Sequence, residues 1–254
     1  MIDIHSHILP GIDDGAKDLE GSIEMARKAV QEGIHTIIAT PHHKNEKFEN
    51  PKQDILPLVE QLNRRLQEEN INLNILPGQE VRIFGELLED YEKGTILPLA
   101  SSSYLFIEFP SDSVPRYTEK LIYDIQLTGF QPIIVHPERN AELMERPEKL
   151  YRLVKNGAAT QLTAASIAGY FGKNIQKFTG QIIEANLAHF IASDAHNITT
   201  RAFKMKEAYD FIEKKYGSQM VYYFMENAEL LIDQKAIFKE IPQQVKKKKI
   251  LGIF

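Results

Sequence analysis

The residues of this sequence best suited to chemistry are histidines and carboxylates that sit where apolar runs stop. Residues 2–7 read Ile-Asp-Ile-His5-Ser6-His7, and residues 36–42 read Thr-Ile-Ile-Ala-Thr-Pro41-His42. Residues 104–108 read Tyr-Leu-Phe-Ile-Glu108, and residues 132–136 read Pro-Ile-Ile-Val-His136. Residues 190–196 read Phe-Ile-Ala-Ser-Asp194-Ala-His196. Short apolar runs of this kind read as strands. Ligands at the carboxyl ends of parallel strands in a barrel converge on one rim. A multi-metal centre is therefore the leading expectation.

Each motif carries its own argument. His5 and His7 are two residues apart on an extended run, so they share a face at roughly 6.5–7 Å and can grip one ion. Asp13-Asp14-Gly15 follows in a glycine-bounded loop. Asp and Gly are ordinary turn formers, but directly after His-x-His one of the two aspartates becomes a candidate ligand. Of the adjacent His42 and His43, only one can readily face a common site. His42 is nearer the strand, which leaves His43 as a supporting or surface residue. Glu80, after Gly78-Gln79, is either a surface charge or a carboxylate able to bridge two ions, which a neutral imidazole cannot do. Glu108 ends an apolar run where a core residue is expected, and an unpaired buried carboxylate is costly unless something such as a metal compensates it. Asp194-x-His196 repeats the same-face geometry. His35 and His189 begin strands, on the opposite rim, and are assigned to structure.

Composition narrows the chemistry. The chain has 254 residues, no cysteine and a net charge of −5. Without cysteine there are no disulfides, thiolate ligands or thiolate nucleophiles, so any metal must be held by imidazole nitrogen and carboxylate oxygen. The acidic balance provides no general field for nucleic acid. No apolar run approaches the ~20 residues needed to span a bilayer, and the first residues lack a signal-peptide pattern. The expected location is cytoplasmic.

The elements that must position these ligands alternate. Strand-like runs fall at 2–5, 36–40, 73–76, 104–108, 132–135, 160–162 and 189–193. Helix-like segments fall near 18–32, 52–70, 85–92, 116–128, 139–156, 173–186 and 202–215. In the first helix Leu19, Ile23, Ala26 and Val30 recur at helical spacing, with Asp18 as the expected cap and Gly33 as the stop. Continuous runs such as Ile133-Ile134-Val135 suit strands covered on both faces. Seven β/α units predict an α/β fold, a distorted TIM-like barrel of seven strands. The competing open sheet would gather its ligands at a switch point rather than on nearly every strand. Residues 216–234 read as two more short helices. The expected domain is 1–241, followed by a basic and apolar tail over 242–254. Its lysines 246–249 form a solvated run, with docking to a membrane-associated or acidic partner as the sharper alternative.

Together the strings Asp3-Ile-His-Ser-His7, Gly11-Ile-Asp-Asp-Gly15, Ala39-Thr-Pro-His42-His43, His136-Pro-Glu-Arg139 and Ser193-Asp-Ala-His196 resemble the PHP (polymerase and histidinol phosphatase) family. The resemblance runs from His5 to Arg201. Within that family the chain is most similar to the bacterial manganese-dependent tyrosine-protein phosphatases of the CpsB/YwqE type. It implies three divalent ions: the first on His5, His7, Glu80 and Asp194; the second on Glu80, Glu108 and His136; the third on Asp14, His42 and His196. It also implies Arg139 and Arg201 at the substrate phosphate. Many relatives outside the phosphatase group carry histidine at the Glu108 position, so the carboxylate agrees with the tyrosine-phosphatase branch. Manganese comes from the resemblance alone, because mixed imidazole and carboxylate sites also accept Fe, Co, Zn or Mg.

Charge favours a phosphate substrate. Four ligand carboxylates contribute −4 and three divalent ions +6, leaving about +2 for a phosphate-monoester dianion. The expected nucleophile is hydroxide generated at the ions, with arginine forks on the phosphoryl oxygens. His42 or Asp194 could assist a proton transfer. The implied substrate is a phosphotyrosine protein, a bacterial tyrosine autokinase controlling exopolysaccharide or capsule synthesis. The competing readings are a histidinol-phosphate or other PHP phosphoesterase, a nuclease, an amidohydrolase, and a metal-stabilised binding module. An amidohydrolase would bring a bridging lysine and a lone terminal aspartate, where this chain has Glu80 and Asp194-x-His196.

Overall fold

In the computed structural model, which describes residues 1–246, the seven expected strands are all present and all parallel. Two of them are interrupted. The second consists of β1's neighbour β2 (Thr36–Ala39) and, after a break, β3 (His42–His43); β1 itself is Ile2–Ser6. The third consists of β4 (Asn74–Pro77) and β5 (Glu80–Arg82). Then follow β6 (Tyr104–Glu108), β7 (Gln131–Val135), β8 (Ala159–Thr163) and β9 (Phe190–Ala192). Pairing runs β1-β2-β4 at one end of the strands and β3-β5-β6-β7-β8-β9 along the rest. β9 returns to β1 through the bridge Ser6–Ala195, with Asp194 N donating to His5 O at 2.9 Å and His7 N donating to Ala195 O at 2.9 Å. These bonds complete a ring of seven strand positions, the distorted barrel expected from the sequence.

Alternation along each strand separates two cores. Ile38, Tyr104, Phe106, Ile133, Val135, Ala159, Phe190 and Ala192 fill the inside. Their neighbours Ile37, Leu105, Ile107, Ile134, Leu162 and Ile191 pack outward against the helices. Strands such as β6 and β7 are thus apolar on both faces, which is why their runs are continuous. β1 departs from strict alternation. Its register against β2 slips between Asp3 and Ser6. As a result Ile4 joins the inner cluster, while the next residue, His5, still reaches the Phe106 ring at 4.9 Å. Such bulges re-aim side chains near active sites.

The helices are α1 (Leu19–Gln31), α2 (Lys52–Glu68), α3 (Leu87–Glu92), α4 (Thr118–Leu127), α5 (Ala141–Glu145), α6 (Pro147–Lys155), α7 (Ala164–Ala168), α8 (Lys173–Glu184), α9 (Met205–Tyr216) and α10 (Ser218–Ile232). Asp18 caps α1 by accepting from Gly21 N at 2.9 Å, as expected. Two expectations are corrected. The helix over 139–156 is broken into a 3₁₀ turn (Pro137–Arg139), α5 and α6, because Pro147 lacks the N–H that a continuous helix would need and instead starts α6. The two short helices expected over 216–234 are one helix. Gly217, at φ 88°, separates it from α9, and no glycine or proline interrupts it afterwards. Phe224, Ala228 and Leu231 line its buried face. Ala228, Leu231 and Ile237 join the inner cluster, so α10 and the segment that follows it cover the amino-terminal mouth of the barrel.

The start of the expected tail lies against the domain. Gln243 N donates to Ala185 O at 2.8 Å, and Val245 packs on the outer core. Lys246 is exposed, and the lysines 247–249 fall outside the described residues. Among the described residues no helix is long and apolar enough to cross a membrane.

Candidate metal centre

All nine expected ligands meet at the carboxyl-terminal rim. β1 delivers His5 and, directly past its end, His7, whose Nε2 atoms approach to 3.3 Å. β3 delivers His42 and β5 delivers Glu80, paired residue for residue in the two strands. Glu80 is the hub. One oxygen lies 2.8 Å from His42 Nδ1, 3.3 Å from His7 Nε2 and 3.5 Å from His5 Nε2; the other lies 2.8 Å from His136 Nε2. Glu108, ending β6, stands 3.7 Å from His42 Nδ1. Asp194 Oδ1 is 3.5 Å from His5 Nε2 and 3.4 Å from His7 Nε2. Asp14, half exposed at the lip, reaches His42 Nε2 at 3.5 Å and His196 Nε2 at 3.3 Å.

The local backbone explains how these side chains turn inward. His136 (φ 34°, ψ 50°) and Asp194 (φ 53°) adopt the left-handed conformation just past β7 and β9. Two glycines permit close approach. A Cβ on Gly15 would lie 2.0 Å from His7 O, and one on Gly78 would lie 2.6 Å from the Ile38 side chain. Without them the Asp13–Asp14 loop could not lie against β1, nor could the break before Glu80 fit over β2.

Three buried groups orient the imidazoles from behind. Gln161 Oε1 accepts from His5 Nδ1 at 2.9 Å, Asp13 Oδ2 from His7 Nδ1 at 2.7 Å, and Asp194 O from His196 Nδ1 at 2.9 Å. Donating Nδ1–H outward leaves each Nε2 lone pair facing the cluster, the arrangement typical of metal-ligating histidine. Four atoms of the cluster are buried with no hydrogen-bond partner: His42 Nδ1, His196 Nε2, Glu80 Oε2 and Glu108 Oε2. Buried polar atoms are ordinarily satisfied, and here acceptors face acceptors, a geometry that cations complete.

Electrostatics point the same way. Burial would raise the Glu80 carboxyl, but the His42 and His5 imidazoles outweigh it and hold it well below its usual range. Burial of Asp194 is likewise outweighed, chiefly by Arg139. Glu108 lacks equal compensation. Burial, with the Glu80 charge beside it, pushes it up to about 7. Burial pulls His136 down to about 4, helped by Arg139, and His196 to about 4, helped by His7. His7 and His42 go the other way: burial is outweighed chiefly by Asp13 at His7, which is raised well above its usual value, and by Glu80 at His42, which is also raised. A cluster whose carboxylates draw positive charge onto two of its imidazoles suits divalent ions.

Residues 1–233 match the family model described as capsular polysaccharide synthesis, CpsB/CapC. The chain belongs to the CpsB/CapC family. It is 53% identical to tyrosine-protein phosphatase YwqE of Bacillus subtilis (strain 168), over the whole of both chains. It is 39% identical to the putative tyrosine-protein phosphatase CapC of Staphylococcus aureus, again over all of both. It is 34% identical to tyrosine-protein phosphatase CpsB of Streptococcus pneumoniae, over 86% of this chain and 92% of that one. A crystal structure from work on YwqE and CpsB, described as unique metal-dependent tyrosine phosphatases, superposes with a TM-score of 0.95 at 53% identity, covering 97% of this chain and 100% of that chain. The organophosphorus hydrolase of Deinococcus radiodurans shares the fold alone, with a TM-score of 0.54 at 12% identity over 91% of each chain.

In this CpsB/CapC chain the two expected arginines also reach the centre. Arg139 Nη2 lies 2.7 Å from Asp194 Oδ2, and Arg201 Nη2 lies 3.2 Å from the same oxygen. They line a pocket of about 300 Å³ together with His136, Glu108, Phe109 and Pro110. His43 is buried, so it is not a surface residue; it pairs with Val81 in the β3–β5 ladder and belongs to none of the ligand clusters. His35 is exposed and His189 buried, both at the far rim as expected.

Sequence reasoning missed Arg82, Gln161 and the bracing role of Asp13. Arg82 Nη2 donates to Glu108 Oε1 at 3.1 Å and Nη1 to Phe109 O at 2.9 Å. Its signal was the Glu80-x-Arg82 spacing, the same two-residue interval as His5-x-His7. Gln161 was visible as an amide in a short strand whose every position is buried. Asp13 differs from Asp14 only in which way the loop turns it, and no local feature of the sequence shows that.

Proposed function

We propose that this chain is a metal-dependent protein-tyrosine phosphatase whose nine rim side chains hold three divalent ions. The observation that carries the reading is the convergence of unpartnered imidazole and carboxylate atoms beneath two guanidinium groups. His5, His7, Glu80 and Asp194 would hold one ion; Glu80, Glu108 and His136 a second; Asp14, His42 and His196 a third. The close contacts of Glu80 on both of its oxygens suit a carboxylate shared between two ions. Manganese is the proposed metal, and the ligand chemistry equally admits Fe, Co, Zn or Mg.

When bound, such ions polarise phosphoryl oxygens and make hydroxide available from water near neutral pH. The chain's own residues do the rest. Arg139 and Arg201 both anchor on Asp194 and keep donors toward the pocket, where bidentate, charge-assisted contacts fix a phosphate dianion. That grip keeps Asp194 ionised, so it serves as ligand rather than as proton donor. A phenolate is a fair leaving group, which removes the need for a strong acid at its oxygen. Arg82 positions Glu108 by a hydrogen bond to its Oε1 and opposes, without cancelling, the rise that burial and Glu80 impose on that carboxyl. Phe109 and Pro110 provide an apolar wall for an aryl ring.

The proposed substrate is a phosphotyrosine-bearing tyrosine autokinase that controls capsule or exopolysaccharide synthesis. The names of the relatives and the family description support this. The test is phosphate release from a phosphotyrosine peptide with added Mn²⁺. Equal or faster turnover of histidinol phosphate would overturn the tyrosine assignment. The pocket wall carries no lysine among the described residues, which weighs against the amidohydrolase reading.

A further inference from the structure

The concavity does not stop at the catalytic pocket. A groove of about 610 Å³ continues from it, sharing His42, Arg82, Pro110 and Ser111 with the pocket wall. One bank is the loop after β3, which presents Phe48; the other is the start of α4, which presents Tyr117. We propose that this groove seats the polypeptide flanking the phosphotyrosine, with the Tyr117 and Phe48 rings as its specificity contacts. The inference rests on the phosphatase reading of the adjoining pocket.

Three observations support a peptide as occupant. The first is continuity: a side chain whose phosphate reaches Arg139 and whose ring lies along Pro110 must leave its backbone at the groove. The second is the chemistry of the walls. Ile83, Pro115 and the two rings are apolar, and the charged residues of the lining are of both signs, with Lys44 and Arg82 paired and Glu46, Lys47 and Asp112 along the banks. Lys44 Nζ lies 2.8 Å from Glu49 and 3.3 Å from Asp90, and Arg82 is bound to Glu108. With charges of both signs the groove presents no single-sign field, and the apolar residues offer packing surface to a polypeptide. The third is that both rings are held in place at the groove, Tyr117 exposed and Phe48 half-buried. Tyr117 is 42% exposed, and its hydroxyl donates to Ile83 O at 3.2 Å. The Phe48 ring lies nearly parallel to His42, at 6.1 Å and 9°, and Phe48 N donates to Asn45 Oδ1 at 2.8 Å. Rings held at the edge of a functional cavity, with part of their faces toward solvent, offer a preformed contact surface. Binding energy from parts of a substrate remote from the reacting group raises turnover of the extended substrate relative to a truncated one.

The experiment compares kcat/KM for p-nitrophenyl phosphate and for a phosphotyrosine-containing decapeptide, using the Mn²⁺-loaded full chain and its Tyr117→Ala and Tyr117→Phe variants. The expected result is a peptide-to-aryl ratio about tenfold lower in Tyr117→Ala, equivalent to one lost ring contact, and unchanged in Tyr117→Phe. An unchanged ratio in Tyr117→Ala overturns the proposal. So does an equal fall in both variants, which would trace the effect to the hydroxyl anchor rather than to the ring. Failure of the phosphatase reading looks different: the wild-type chain would turn over neither substrate.

Discussion

Asp13 offers a sharp test of how this centre is built. Its side chain is buried and accepts three hydrogen bonds: Oδ2 from His7 Nδ1 at 2.7 Å and from His42 N at 3.2 Å, and Oδ1 from Gly15 N at 2.9 Å. All three partners are donors. Asparagine at this position has one acceptor oxygen and one NH₂, so whichever way it turns, a donor faces a donor. The Asp13→Asn substitution therefore loses at least one charge-assisted hydrogen bond, worth about 1.5–3 kcal/mol. Part of that loss falls on His7, whose Nδ1–H must stay fixed for Nε2 to face the cluster. Because 1.4 kcal/mol is a factor of ten, the expected outcome is a Mn²⁺ requirement raised about 10–100-fold, the usual consequence of removing a ligand's outer partner. The assay is metal titration of the stripped protein by calorimetry, in parallel with phosphotyrosine peptide turnover. Saturating Mn²⁺ should restore kcat to within a few-fold. An unchanged titration curve would refute the reasoning, as would a loss of kcat that excess metal does not repair.

Four other outcomes follow from the same geometry. Arg139→Lys keeps the charge but loses the fork over Asp194, and should lower kcat/KM about 100-fold with metal affinity nearly unchanged by calorimetry. His136→Ala should abolish turnover while circular dichroism and the melting temperature of the metal-free protein stay near wild type; a collapse of the fold would mean that the residue is structural. Gly15→Ala places a methyl group against the His7 backbone; about 1–3 kcal/mol of overpacking strain is expected in denaturant melts, with weakened Mn²⁺ binding. Acid stability should respond to His189, whose buried ring is pulled down to about 3, mainly by burial. Below its unfolded value of about 6.5 the unfolded chain takes up a proton that the folded chain refuses, so its contribution is intact above that pH and is lost as pH falls toward 3. Between pH 7 and pH 4.5 the wild type should lose roughly 3 kcal/mol more than His189→Gln; parallel profiles in urea melts would refute it.

Much of this molecule could be read from the chain because the same physics sets the pattern and the fold. A strand apolar on both faces has no place for a carboxylate, so Glu108 after Tyr-Leu-Phe-Ile already pointed to compensation. The rim was legible for the same reason: a ligand that ends a parallel strand has one direction to face. The helix over 139–156 was misread because apolar periodicity continues across Pro147 although the backbone hydrogen bonds cannot. Arg82 and Gln161 were missed because their value lies in what they touch. Arg82 meets Glu108 across β5 and β6, and Gln161 meets His5 across the barrel. Contacts between residues 26 and 156 positions apart leave no local trace.

The least legible feature is also the one that shapes the centre. A regular strand would carry His136 and Asp194 onward in the alternation of β7 and β9, with the chain still extended. Both residues instead switch to the left-handed region within two positions of the strand end, His136 directly after β7 and Asp194 one residue beyond Ser193. For a residue with a Cβ this costs of order 1–3 kcal/mol, and only surrounding bonds can hold it there. Those bonds are present: His136 N donates to Gln161 O at 2.8 Å, and Asp194 N to His5 O at 2.9 Å. In each case the neighbouring strand that fixes the kink is β8 or β1, and each of these carries a residue of the centre or its support. The ring of strands therefore does more than gather ligands at one rim. The hydrogen bonds that close β7 on β8 and β9 on β1 also hold two of the ligands in conformations they would not adopt alone, so closure of the barrel and assembly of the metal centre are one structural event.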